Sequence, residues 1–191
     1  MSNFWYVILA LGGTIAAGFG STYIFSYFNR HLLKVVKKAE ELVRKRLQSR
    51  DKMNIKDIVA AADIEEELLP KAHFLLNGVA NSIGVDPENF RPDDMLGEAL
   101  FVSESELSSA LPEEWSKTKI KDGIQVFSYE ILNNIEKFSN KSKLKTRLGA
   151  LPNAPKGRAD VLALISSMSL KEFLKFFSPI IDTSKMKGGW G

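Results

Sequence analysis

Glu65-Glu66-Glu67-Leu68-Leu69-Pro70-Lys71-Ala72-His73-Phe74-Leu75-Leu76-Asn77-Gly78-Val79-Ala80-Asn81-Ser82-Ile83-Gly84 is the stretch whose periodicity sets the fold. Leu68, Leu69, Ala72, Leu75, Leu76, Val79 and Ile83 fall mostly three or four residues apart, so a helix over 65–83 gathers them on one apolar face. Gly84 is its stop, because glycine enters the left-handed conformation that ends helices without a Cβ clash. Pro70 lies within the first turns of that helix or marks its true start. The chain continues as Val85-Asp86-Pro87-Glu88-Asn89-Phe90-Arg91-Pro92-Asp93-Asp94-Met95-Leu96-Gly97-Glu98. That reads as an acidic loop in which Asp86 caps a turn and Pro87 takes its first position.

Upstream, Asn54 followed three residues later by Asp57 is a helix start leading into Ile58, Val59, Ala61 and Ala62. Residues 29–53 read as a basic helical stalk: 29–50 lack Gly and Pro, and Leu32, Val36, Ala39 and Val43 are spaced by four and three. Further back, Phe4 to Phe28 is an uncharged run of twenty-five residues, and Arg30 opens a basic segment just after it. At ~1.5 Å rise per residue such a run covers a hydrocarbon core of ~30 Å. The expectation is a single-pass membrane helix over 4–28. Arg30, Lys34, Lys37, Lys38, Arg44, Lys45 and Arg46 follow it and no Lys or Arg precedes it, so the positive-inside rule puts the N-terminus outside and the C-terminal domain in the cytoplasm, as in a bacterial inner membrane. The same cations are candidates for contact with anionic lipid headgroups, or serve only to set topology. Gly12, Ala16 and Gly20 form a small-residue stripe able to pack helix on helix in a bilayer.

Downstream, Ser103 and Glu106 form a capping-box pattern for a short helix over 104–110, and a helix over 122–138 gathers Ile124, Phe127, Ile131, Ile135 and Phe138. The pair Asp122-Gly123 followed by Ile124, Val126, Phe127 and Tyr129 also suits a β-hairpin; the longer helical spacing favours the helix. Residues 141–158 form a basic connector, with Lys141, Lys143, Lys145 and Arg147 running into Gly149, Pro152, Pro155 and Gly157. Two amphipathic helices follow over 159–181, the second opened by Ser169 and Glu172 and carrying Leu170, Phe173, Leu174, Phe176 and Phe177. They dock on the core, a membrane or a partner groove, and residues 182–191 read as a flexible tail with Trp190 as a contact point.

Within residues 60–140, a helix ending in Ile83-Gly84-Val85-Asp86-Pro87-Glu88, then Arg91-Pro92-Asp93-Asp94 and Leu96-Gly97, resembles the acyl carrier protein family. The resemblance implies a small helical fold over 54–140 and a binding role for acyl chains. The family carries phosphopantetheine on a serine just after its Leu-Gly; this chain has Glu98-Ala99-Leu100 there, which implies a degenerate domain without that group.

Charge is segregated. Residues 30–56 carry ten Lys/Arg against three acids, 57–116 two against fourteen, and 117–191 fourteen against six. Such blocks attract one another within a fold or face a partner. Asp86, Glu88, Asp93, Asp94 and Glu98 are the candidate acidic partner face. They lack the alternating ligands and central glycine of a calcium loop. The absence of cysteine excludes disulfides, thiolate metal sites and a thiol nucleophile. The two histidines, His31 and His73, have no Ser or second His at motif spacing, and no phosphate-binding glycine motif occurs.

The sequence therefore predicts a mainly α protein with no catalytic, cofactor or metal site. Its expected role is a membrane-anchored, non-enzymatic scaffold that presents a helical module to a protein partner or to its own copies, with nucleic acid disfavoured for want of interleaved aromatics. The alternatives are an acyl-carrier-like binding module and, behind it, a carboxylate-dependent enzyme acting on lipid.

Overall fold

The computed structural model describes residues 33–111, 124–125, 128–188 and 190. In chain order these form α1 (33–48), α2 (Ile55–Ala60), α3 (Leu69–Ile83), α4 (Leu96–Ala99), β1 (Phe101–Val102), α5 (Glu104–Ala110), β2 (Ile124–Gln125), α6 (Ser128–Phe138), α7 (Lys141–Gly149), α8 (Arg158–Ser166) and α9 (Leu170–Phe177), with 3₁₀ turns at Glu66–Leu68, Pro87–Asn89, Ser178–Ile180 and Met186–Gly188.

Helix α3 is the central element, packing against α2, α6 and α9. It buries Ala72, Leu75, Leu76, Gly78, Val79, Ala80 and Ile83, a face too wide for one neighbour to cover. Complete burial of leucines such as Leu75 and Leu76 is worth roughly 2–3 kcal/mol each. Its start is set by Pro70 in the first turn, where the missing N–H costs no helical bond, and the preceding three residues form a separate 3₁₀ turn. Gly84 ends it at φ 70°, and the Val85 amide reaches back to the Ala80 carbonyl at 3.1 Å.

Helix α9 docks on this core. Ser169 and Glu172 close a full capping box, and Leu170, Phe173, Leu174 and Phe177 are all buried. The tail is anchored as well: Trp190 stacks on Phe138 at 5.7 Å, meets Phe74 edge-on at 5.5 Å and donates its indole N–H to Ser82 Oγ at 3.0 Å. A methyl on Gly78 would collide with the Trp190 ring, so that glycine makes room for it.

The 182–191 tail, expected to be flexible, is thus tied to the core through Trp190, and four further expectations require correction. The single-pass membrane architecture is not supported, because among the described residues no helix is long and apolar enough to cross a membrane. The longest, α1, carries Lys34, Lys37, Lys38, Glu40, Glu41, Arg44, Lys45 and Arg46 within sixteen residues, where a span needs ~20 largely apolar ones. The 4–28 segment lies outside the described residues together with Gly12, Ala16, Gly20 and Arg30, and the N-out, cytoplasmic location loses its support on the same finding. Second, α1 is no stalk standing apart: Val35, Ala39, Val43 and Leu47 are buried in the common core, a stripe of spacing four that Val36 flanks. Third, the helix expected from residue 122 begins at Ser128. Ile124–Gln125 instead pairs antiparallel with Phe101–Val102, Val102 opposite Ile124. Fourth, the connector 141–158 contains helix α7, started by the Asn140 side chain, which accepts from the Ser142 and Lys143 amides at 3.1 Å each.

Candidate functional site

The acidic loop of 86–98 meets basic residues just beyond α1 and on α9. Arg50 grips Asp94 through both carboxylate oxygens at 2.8 and 2.7 Å, and the Arg91 amide donates to the same carboxylate at 2.7 Å. Both bonds come from the one Nη1 nitrogen, and hydrogen bonds between an ionised donor and an ionised acceptor are roughly twice as strong as neutral ones. Lys52 bridges Asp86 at 2.6 Å and Glu88 at 3.4 Å, and Lys171 of α9 takes Asp93. Hydrogen bonds to these carboxylates push the Lys52 and Lys171 ammonium groups above their ordinary pKa, with Asp86 and Asp93 respectively as the largest cause.

The arginines of α1 also serve as helix caps. Arg46 donates to the Ala99 and Phe101 carbonyls at 2.8 Å each and to the Glu98 carbonyl at 3.4 Å, at the carbonyl end of α4. Arg44 donates to the Ile83 carbonyl at 3.2 Å, at the end of α3. A cation at a helix C-terminus satisfies orphan carbonyls and complements the dipole. Lys38 and Lys45 both pair with Glu41, whose carboxyl is lowered to about 2, first by the Lys45 hydrogen bond and then by Lys38. Lys34 and Lys37 are exposed on the same helix. Thus Asp86, Glu88, Asp93 and Asp94 face this chain's own cations, and Glu98 is an exposed residue whose carbonyl belongs to the α4 cap. Ser103 accepts from the Glu106 amide in the α5 capping box.

Helix α7 presents the opposite case. Lys141, Lys143 and Lys145 are exposed, and none of the three makes an ion pair or a side-chain hydrogen bond among the described residues. No residue of α7 is fully buried. Helices α2, α5, α6, α8 and α9 each carry an acid in the first turn, where it complements the positive dipole end; α7 carries Lys141 and Lys143 there. Its position is nevertheless fixed, since the Asn140 amide donates to the Ile180 carbonyl and the Asp182 amide to the Phe138 carbonyl, both at 2.9 Å. One side of α7 lines a groove of about 530 Å³ formed by Glu136, Lys141, Leu144, Lys145, Leu148, Gly149 and Pro155. Lysines and leucines alternate along it and its acid Glu136 is paired with Arg158 at 3.3 Å, so it offers apolar contact flanked by positive charge. The sequence shows this acid-free run but gives no sign that it folds into a fixed helix beside a groove.

His73 lies by a groove with Lys52, Met53 and Glu88 and makes no hydrogen bond among the described residues, while His31 lies outside them. No group of three or more metal-ligating side chains gathers among the described residues. No family model, curated protein or solved structure matches this chain.

Proposed function

We propose that this protein is a non-enzymatic interaction module that offers α7 and its adjoining groove to an acidic, amphipathic segment of a partner protein. The supporting observation is that Lys141 and Lys145 flank Leu144 and Leu148 with no carboxylate of their own chain on either lysine. Elsewhere in the fold Lys45, Arg50, Lys52 and Lys171 each hold an acidic neighbour. Placing lysines at the N-terminal end of a helix costs local stability, and an incoming carboxylate would gain from the ammonium groups and the dipole together.

The groove indicates the kind of partner. Its apolar residues are Leu144, Leu148 and Pro155, which suit the leucine or phenylalanine anchors of a peptide. Nucleic acid would call for aromatic stacking surfaces, and none lines the groove. Rim charges of this kind mostly accelerate encounter and make binding salt-dependent.

A photoreactive residue at Leu148 in the full chain tests this in cells. The expected result is a discrete protein adduct whose crosslinked peptide carries acids beside large apolar residues, and which disappears with K141E/K145E. Crosslinks that are nuclease-sensitive, map to a segment lacking acids, or survive the charge reversal would overturn the proposal.

A further inference from the structure

On the opposite side of α7 lies a second, larger cleft of about 680 Å³, between α7, α9 and the segment leading into α3. The acids Asp63, Glu65 and Glu67 come from the segment leading into α3, with Lys71 beside them on α3 itself, whereas Lys143 and Arg147 come from α7 and Lys175 from α9. Lys175 bridges Asp63 at 3.1 Å across the two groups, and both side chains are largely exposed. Ile64, Leu68 and Pro179 supply an apolar patch in the same cleft.

Arg147 is the distinctive member. Its guanidinium lies over the Phe176 ring at 4.9 Å, which holds its plane in place. Its Nε is buried and has no hydrogen-bond partner among the described residues. An arginine fork already oriented by stacking loses little freedom when its terminal nitrogens take a carboxylate. Lys143, one turn earlier on α7, lies beside it in the cleft.

We infer that this cleft binds a zwitterion, an apolar amino acid or a short peptide, with its carboxylate on Arg147 and Lys143 and its ammonium on Asp63, Glu65 or Glu67. A simple anion would meet the acidic wall and a simple cation the basic one. A molecule carrying both charges across an apolar body matches the whole lining, and the volume lies within the range of small-ligand clefts. This inference is independent of the groove on the other side of α7.

Binding to the full chain is measured by NMR or calorimetric titration with four probes: leucine, leucyl-leucine, N-acetyl-leucine and leucinamide. Saturable binding is expected for leucine or leucyl-leucine, and which of the two is tighter distinguishes the free amino acid from the peptide source. N-acetyl-leucine and leucinamide, each lacking one charge, should bind at least tenfold more weakly. R147Q should weaken the favoured probe tenfold or more, and R147K, which keeps the charge but not the fork, by less. K143Q at an exposed site serves as a second variant, and the circular dichroism of each is checked against the parent. Absence of saturable binding by both zwitterions, equal binding of the blocked probes, or undiminished binding by folded R147Q and K143Q would overturn the inference.

Discussion

Helices α1 and α7 are both basic and both sit at the surface of the α3 core, yet their charges are deployed differently. The arginines of α1 end on carbonyls of α3 and α4, its lysines Lys38 and Lys45 end on Glu41, and Arg50 just beyond it holds Asp94. The lysines of α7 end on nothing within the described chain. Local charge density alone therefore does not mark an interaction surface. What marks it is whether the fold brings carboxylates or helix ends within reach.

The largest disturbance should come from the joint that seats the acidic loop. Gly97 packs so closely on α8 that a Cβ would lie 2.4 Å from the Ser166 carbonyl oxygen, a backbone atom that cannot swing aside. Gly97→Val should cost about 3 kcal/mol in chemical denaturation, at the upper end for overpacking. Arg50→Ala leaves Asp94, whose side chain is only 11% exposed, without its guanidinium, and about 2 kcal/mol of destabilisation is expected by the same assay.

A pH titration separates the regions more gently. Glu106 and Glu172 lie below their ordinary value of 4.5, chiefly because the Ser103 and Ser169 amides donate to the ionised carboxylates. Since the folded pKa lies below the unfolded one, this contribution is present above about pH 4.5 and is lost as pH falls through the folded values. Thermal melting should thus be insensitive to these two groups at neutral pH and fall below pH 4.5. E106Q and E172Q should flatten that fall. The smallest effect is expected at α7: K141Q/K145Q should change stability by less than about 0.5 kcal/mol, while removing the partner adduct. The corresponding loss at Arg50, set against none at α7, measures the contrast between the helices directly.

Much of this was legible in the chain. The period of α3, its glycine stop, and the two capping boxes at Ser103 and Ser169 depend on residues within a few positions of each other, and those signals survive in one dimension. Charge blocks of opposite sign announced an attraction, but which cation meets which carboxylate depends on packing: Lys171 and Asp93 are seventy-eight residues apart. The β1–β2 pairing was hidden for the same reason, being two residues on each side across a long separation. Helix α7 is hard to read in the sequence because it is nearly polar all round, with only Leu144 and Leu148 to suggest a period, and because Gly149, Pro152 and Pro155 beside it read as a loop. Sequence spacing puts the α1 stripe one residue away at its start, on Val36, since hydrophobic spacing cannot distinguish adjacent valines until a neighbour buries one. In the candidate site, the residues were visible but their role was not, because an unpaired cation is defined by what is missing around it in space.

The difference between the helices is tested most directly by quantitative lysine acylation, followed by mass spectrometry, on the purified chain and in intact cells. Lys52 and Lys171, hydrogen-bonded to Asp86 and Asp93 with raised pKa values, should react slowly in both settings. Lys141 and Lys145 should react fast in the purified protein and become protected in cells where the partner is present. Equal rates at all four lysines in the purified chain, or no protection of Lys141 and Lys145 in cells, would contradict it.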